Sequence, residues 1–196
     1  MQVNKILSYV RVLGPGSRMV IWFQGCGKRC PGCIAPEMQS YDGGFSIDTE
    51  LIRELLSRQQ HIDGVTLSGG EPFDQNGQEL ADLIECCNET TGDVLLYTGY
   101  SMEQLKNRMS PDILGRILHA VSALVTDPYV EALDDGRSGL MGSGNQQIWI
   151  MKNEERYMQA LQESRTQQIF ADEQGIFVAG IPGSEFKELL KQKGER

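Results

Sequence analysis

The sequence predicts an α/β fold, with a parallel sheet and outer helices. Segments patterned as strands alternate with segments of helical periodicity, and glycines follow several of the predicted strands. Hydrophobic residues make up 40% of the 196-residue chain, enough for a packed core. Chains that alternate in this way form parallel strands joined by right-handed crossovers, and their functional residues gather at the carboxyl ends of the strands.

The first half of the chain supplies three predicted strands and two helices. Alternation of apolar and polar residues marks a strand, whereas apolar residues three and four apart mark a helix. Asp48 provides a helix N-cap. In order, the predictions are a strand over 5–12, a turn over 13–16, a strand over 17–23, a helix over 48–58, a strand over 64–70 and a helix over 76–87.

The second half continues the alternation. Ser101 and Gln104 form a capping box, and Ser110-Pro111 supplies an N-cap followed by a proline at the first helical position. The glycine-rich segment 134–144 is interpreted as a loop, either a plain linker or a lid. The predicted elements are a strand over 93–98, helices from Ser101 and over 110–118, strands over 121–126 and 147–151, a helix over 154–162, a hairpin turning at 172–175 and a helix from Ser184.

Charge and hydropathy exclude two broad classes of function. The net charge of -9 repels phosphate backbones, so a general nucleic-acid binder is not expected. The longest apolar stretches, 19–23 and 121–125, are far shorter than the roughly 20 residues that span a bilayer, which predicts no membrane association. The amino terminus lacks the pattern of a signal peptide, and we expect a cytoplasmic protein.

Three cysteines in a C-x3-C-x2-C run carry most of the chemical information. Cys26, Cys30 and Cys33 lie in a loop rich in glycine and proline that directly follows a predicted strand. The chain has five cysteines, and an odd number without a secretory signal favours metal ligation or catalysis over disulfides. A zinc knuckle would need a fourth ligand, and neither His61 nor His119 has a partner at ligand spacing. Three soft ligands suit a cubane iron–sulfur cluster whose fourth iron stays open.

The other two cysteines are predicted to be structural. Cys87 shares one helix face with Leu80, Leu83 and Ile84, and Cys86 points about 100° away from it. A free cysteine in such a position behaves as a small hydrophobic residue.

The cysteine motif together with Gly69-Gly70-Glu71-Pro72 resembles the radical S-adenosylmethionine (SAM) superfamily. Further segments at 14–18, 97–100, 127–129 and 142–146 are similar, in that order, to the activases of glycyl-radical enzymes, most closely to the branch that acts on anaerobic ribonucleotide reductase. The resemblance covers about residues 11–150. It implies a partial (β/α) barrel over 1–150 with a cluster loop at 24–37, and a C-terminal extension over 151–196 packed on the same domain.

The resemblance implies the following chemistry. Cys26, Cys30 and Cys33 hold a [4Fe-4S] cluster, SAM binds its open iron, and one electron splits SAM into methionine and a 5′-deoxyadenosyl radical. That radical takes a hydrogen atom from a glycine of a partner glycyl-radical enzyme, here anaerobic ribonucleotide reductase. Two alternatives stay open: a stand-alone radical SAM enzyme that modifies a small molecule or peptide, and a non-catalytic metal-binding module.

The resemblance also implies contacts to SAM. Gly69 and Gly70 bring the backbone close to its amino group, and Glu71 either neutralises that group or braces the glycine turn. The backbone of Gly32, Cys33 and Ile34 contacts the adenine edge. Thr98 either contacts the ribose or carboxylate or serves as an ordinary strand-end hydrogen-bonding residue.

A local positive charge suggests how the electron arrives. Arg18, Lys28 and Arg29 lie near the cysteines in an otherwise acidic chain. We expect them to dock an acidic, flavodoxin-like electron donor.

Overall fold

A computed structural model describes residues 1–173, 175–183 and 186–188. The helices and strands are β1 (Gln2–Val10), β2 (Arg18–Phe23), β3 (Phe45–Ser46), α1 (Thr49–Ser57), β4 (Gly64–Gly69), α2 (Gly77–Thr91), β5 (Val94–Tyr97), α3 (Met102–Arg108), α4 (Pro111–Ala120), β6 (Ala123–Thr126), β7 (Gln147–Ile150), α5 (Glu154–Gln162), β8 (Gln168–Asp172) and β9 (Gly175–Ala179).

The predicted α/β class is confirmed, and the centre of the sheet is parallel. Seven strands lie in the order β3-β1-β2-β4-β5-β6-β7, and β2, β4, β5 and β6 are parallel. The expectation of a parallel sheet does not hold outside this centre, where β1 pairs antiparallel with β2 and β3, and β7 pairs antiparallel with β6. The connection from β1 to β2 over 11–17 is shorter than the dozen or so residues that a parallel crossover requires. In the described chain β3 and β7 are the two edges, so the sheet is open rather than closed.

Three helices that the spacing of apolar residues predicts cover one face of the sheet. α1, α2 and α4 bury Ile52, Leu83 and Ile117 against Val65 and Leu67 of β4. Asp48 caps α1 by accepting a hydrogen bond from the backbone of the first turn. α2 extends four residues beyond the predicted end, to a left-handed glycine at the C-cap.

Both α2 cysteines lie in the protein interior, which confirms their structural assignment. Cys87 is fully buried, and Cys86 is 1% exposed. The Sγ of Cys86 lies 4.0 Å from the Thr49 carbonyl oxygen at the start of α1. Cys86 thus fills the contact between α1 and α2, although it leaves the helix in a different direction from Cys87.

The opposite face is covered by α5 and by a separate β8–β9 hairpin. Tyr157 and Ala160 of α5 pack on Leu95 and Val125, while the hairpin packs on Trp22 of β2. The predicted helix over 154–162 and the hairpin are both confirmed. Ser184, the predicted start of a last helix, lies outside the described residues. Among the described helices, none has the length and apolar character that a membrane crossing requires.

Arg18 is a core residue, which corrects its predicted place in an exposed cationic cluster. Its side chain is fully buried and forms an ion pair of 3.0 Å with Asp93. It also donates to the Thr66 hydroxyl at 2.7 Å and to the Val65 carbonyl at 2.8 Å. Tyr157 donates its hydroxyl to the same Asp93 carboxylate at 2.5 Å. Arg18 therefore links β2, β4 and α5 and cannot meet an electron donor.

Candidate active site

The predicted site residues surround one cavity of about 250 Å³. The cavity lies at the carboxyl ends of the four parallel strands, because loops that follow β2, β4, β5 and β6 line it. The structure brings all of the predicted residues to its wall: Cys26, Cys30, Gly32, Cys33, Ile34, Gly69, Gly70, Glu71 and Thr98. Their shared position is a finding, whereas the contact that each makes with a cofactor stays a prediction.

The cysteine loop is held at its start by backbone hydrogen bonds from Gly25 and Cys26. The amide of Gly25 donates to the Met38 carbonyl at 2.9 Å, and the amide of Cys26 donates to the Gln39 carbonyl at 3.1 Å. The loop also turns back at its far end, where Cys33 donates to the Cys30 carbonyl at 3.2 Å. These contacts leave the three cysteines only partly buried and facing the cavity.

Burial raises the pKa of the Cys26 thiol, an effect that the backbone N–H groups of Lys28 and Arg29 partly offset by hydrogen bonding to its sulfur. Burial also raises the pKa of Cys30, with a further increase from neighbouring Cys33. Since metals bind thiolates, loading the site must release these protons.

The donor set fits a three-cysteine iron–sulfur cluster. Thiolates are the ligands that such clusters take, and three of them line one cavity from a single loop. In the described part of the chain, no three His, Cys, Asp or Glu side chains are close enough together to hold a single metal ion. A cubane bonds its cysteines to different irons, so the thiolates that hold it need not converge on one point.

Glu71 is buried and connects two rim loops. Its side chain accepts hydrogen bonds from the Thr98 hydroxyl at 2.7 Å, the Gly99 amide at 2.7 Å and the Phe73 amide at 3.1 Å. Burial raises its pKa to about 7, and these hydrogen bonds limit the increase. These contacts join the segment after the glycine turn to the loop after β5, and both roles predicted for Glu71 stay predictions. Thr98 makes a strand-end hydrogen bond, with Glu71 as its partner.

The two glycines of the turn pack against the strand that delivers the cysteine loop. A Cβ at Gly69 would lie 2.7 Å from the backbone nitrogen of Phe23, and a Cβ at Gly70 would overlap the Gly25 carbonyl oxygen. Gly70 also donates its amide to the Phe23 carbonyl at 2.8 Å. Close approach of two backbones therefore requires glycine here, independently of any cofactor.

Asp74 organises the cysteine loop, and the sequence interpretation missed it. Its carboxylate accepts from the Gly27 amide at 2.9 Å, the Tyr41 hydroxyl at 2.7 Å, the Tyr100 hydroxyl at 2.7 Å and Arg108 at 2.9 Å. Although burial alone would raise its pKa, these donors lower it. The only signal in the sequence is an acidic residue just after the Gly-Gly-Glu-Pro segment, and none of the four donors is adjacent in sequence.

The remaining predicted residues lie on the outer side of the site. Gly32 has a positive φ of 71°, a conformation that favours glycine, and Ile34 is 49% exposed. Lys28 places its ammonium 4.0 Å from the centre of the Tyr100 ring, and Arg29 is exposed. Lys28 and Arg29 are thus the two members of the predicted cationic cluster that remain near the surface.

A three-cysteine loop and a glycine turn at the carboxyl edge of one parallel sheet define an iron–sulfur protein of the α/β class. Residues 12–149 match the family described as a 4Fe-4S single cluster domain. The anaerobic ribonucleoside-triphosphate reductase-activating protein of Enterobacteria phage T4 is 29% identical over 154 residues, which cover 76% of this chain and 94% of that protein. The protein of that name from Escherichia coli K12 is 27% identical over 144 residues, 70% of this chain and 90% of the relative.

A relative with a different name matches a shorter part of the chain. The pyruvate formate-lyase-activating enzyme of Clostridium pasteurianum is 39% identical over 93 residues, which cover 45% of this chain and 39% of that enzyme. The chain belongs to the radical SAM family of glycyl-radical-enzyme activases. Membership confirms the prediction of a [4Fe-4S] cluster and SAM as cofactors.

Proposed function

We propose that this chain generates a glycyl radical on a partner enzyme, with anaerobic ribonucleotide reductase as the partner. When bound, the cluster and SAM supply a one-electron cleavage of the sulfonium C–S bond and a 5′-deoxyadenosyl radical that takes hydrogen from the partner's glycine. The observation that carries the proposal is the single cavity shared by the cysteine loop, the glycine turn and Thr98. The names of the relatives indicate the partner.

In this proposal the cysteine loop binds the cluster and Asp74 positions the loop. Cys26, Cys30 and Cys33 are the three ligands, and the hydrogen bond from Gly27 to Asp74 holds the loop between the first two of them. Three cysteine ligands would leave the cluster, when bound, with one iron open to SAM.

The glycine turn recognises the ammonium group of SAM through carbonyl oxygens. The amides of Gly70 and Glu71 already donate to the Phe23 and Gly25 carbonyls, both at 2.8 Å. An ammonium group has only hydrogen-bond donors, so the turn must offer it acceptors. Since the turn's amides are already used, its carbonyl oxygens are the groups that serve this purpose. Glu71 keeps the turn in place through Thr98 and adds a buried carboxyl group beside it. The backbone of Gly32, Cys33 and Ile34 meets the adenine edge.

The open sheet fits a partial (β/α) barrel over 1–150, with the cluster loop at 24–37 and an extension over 151–196 packed on it. Its exposed rim leaves a large partner room to present a glycine. Lys28 and Arg29 supply the positive charge for a flavodoxin-like donor, without the contribution first expected from Arg18.

Anaerobic reconstitution with iron and sulfide tests the proposal. With dithionite and SAM, the wild-type protein is expected to form 5′-deoxyadenosine, and Cys30→Ala is expected to form none. Cys86→Ala is the matched control, since it removes a buried cysteine away from the cavity. An intact cluster that leaves SAM uncleaved would contradict the proposal and favour a binding module. Rapid conversion of a small molecule without any protein partner would favour the stand-alone enzyme.

A further inference from the structure

The C-terminal hairpin forms part of the wall of the active-site cavity. Residues 177–182, which are β9 from Phe177 onward and the three residues after it, all line the cavity that contains the cysteines. The family match ends at residue 149, so this wall belongs to a part of the chain outside the matched domain.

One side of the hairpin is fixed to β1 and β2. The Phe177 ring meets Trp22 edge to face, with the ring centres 4.9 Å apart. The Gln168 side chain accepts from the Arg11 amide at 3.0 Å and donates to the Tyr9 carbonyl at 3.1 Å. Aromatic packing and side-chain hydrogen bonds therefore hold both strands of the hairpin against the sheet.

The other side is fixed to the loop that follows β6. Arg165, just before β8, is almost fully buried and forms an ion pair of 2.6 Å with Asp134. It also donates to the Met141 carbonyl at 2.7 Å and to the Pro182 carbonyl at 3.4 Å, so it joins that loop to the end of the hairpin segment. Lys187 continues this contact by donating to the Tyr129 hydroxyl at 2.7 Å. The segment spans the cavity between two anchors rather than extending into solvent.

Alternation along β9 separates the side chains that dock from those that do not. Phe177 pairs with Phe170, and both pack on the domain together with Ala179. Ile176 pairs with Ala171 on the other face and is 76% exposed. Phe177 thus docks on the domain and lines the cavity, whereas its neighbour Ile176 is apolar, exposed and away from the cavity.

We propose that this hairpin is a fixed apolar wall that closes one side of the cavity to water and small solutes and leaves the opposite rim open to the partner. The inference rests on the proposed function, because a carbon radical reacts with any accessible C–H or S–H bond and needs an enclosed site. Phe177 is the positioning residue of the wall: it acts by holding the hairpin against Trp22 and has no role in the chemistry.

Thiol alkylation of the metal-free protein tests the wall without any cofactor. Phe177→Ala is expected to raise the alkylation rates of Cys30 and Cys33 by iodoacetamide about tenfold, which corresponds to about 1.4 kcal/mol of lost docking free energy. Ile176→Ala, on the same strand, is the matched control and is expected to react at the wild-type rate. Peptide mapping assigns the labels, and unlabelled Cys86 and Cys87 verify that the core stays folded.

A second variant and a second measurement complete the test. Arg165→Ala releases the opposite anchor, and the same increase in alkylation is expected from it. In reconstituted enzyme without a partner, Phe177→Ala is expected to form 5′-deoxyadenosine several times faster than Ile176→Ala. Equal alkylation rates in the wild type and the three variants would contradict the proposal that the hairpin walls the cavity. This result does not depend on whether the enzyme cleaves SAM. Failure of the wild type to cleave SAM would overturn the proposed function and leave the alkylation result standing.

Discussion

Removing the Asp74 carboxylate should loosen the cysteine loop more than the rest of the fold. The substitution Asp74→Ala deprives four donors of their acceptor: the Gly27 amide, the Tyr41 and Tyr100 hydroxyls, and Arg108. Gly27 lies inside the C-x3-C segment, and Tyr41 follows the loop in sequence. Two of the four donors therefore transmit the loss directly to the ligand loop.

The stability lost in Asp74→Ala depends on how exposed each donor is to water. A hydrogen bond to a charged group contributes about 1.5–3 kcal/mol when water cannot replace it. Arg108 is 44% exposed, so its ion pair contributes less than about 1 kcal/mol. Tyr41 is 56% exposed, and Gly27 is exposed as well, so water recovers part of both losses. Tyr100 is the most enclosed of the four. We expect the free energy of unfolding to fall by about 2–4 kcal/mol in total.

Two assays separate the loop from the whole protein. Urea unfolding of the metal-free protein gives the total loss, and the rate at which a chelator removes iron from reconstituted protein reports on the loop. Asp48→Ala is the matched control: it removes the α1 N-cap, costs about 1 kcal/mol and leaves iron release unchanged. If Asp74→Ala released iron at the wild-type rate, the assignment of Asp74 as the organiser of the loop would be refuted.

Three further predictions concern buried groups. Burial raises the pKa of Glu71 from 4.5 to about 7, so its proton is held more tightly in the folded state. The free energy of unfolding of the metal-free protein should therefore fall by about 3 kcal/mol as pH rises from about 4.5 to above 7. Urea unfolding at several pH values measures this fall, and Glu71→Gln should remove it. Gly70→Ala should destabilise by about 1–3 kcal/mol through overlap with the Gly25 carbonyl, whereas Gly115→Ala, exposed in α4, should stabilise by about 0.5–1 kcal/mol in thermal unfolding. Asp93→Asn should cost about 3–5 kcal/mol in urea unfolding because it leaves the buried Arg18 charge unpaired.

Local signals in the sequence predict most of the helices and strands. Ser101 and Ser110 cap the helices that they were predicted to cap, because a capping hydrogen bond joins residues only two or three positions apart. The direction of β1 was not predictable in this way. Apolar alternation marks a strand without saying which neighbour it pairs with, and the short 11–17 connection was the one clue to an antiparallel pair.

Long-range partners account for what the sequence interpretation missed. Arg18 was predicted at the surface because its acceptor Asp93 lies 75 positions away in the chain. The motif located Glu71, but two of its three donors, Thr98 and Gly99, become visible only when the loops after β4 and β5 meet. Phe177 carried no motif, and its place in the cavity wall depends on how a hairpin outside the matched domain docks on Trp22.

The most direct test is electron paramagnetic resonance of the partner after activation. Reconstituted protein, SAM, a reductant and the anaerobic ribonucleotide reductase of the same organism are incubated without oxygen. A glycyl radical signal on the reductase is expected with the wild type and with Cys86→Ala, and no signal with Cys30→Ala. Formation of 5′-deoxyadenosine at the wild-type rate without any radical on the reductase would contradict the activase function and indicate a different substrate for the same site.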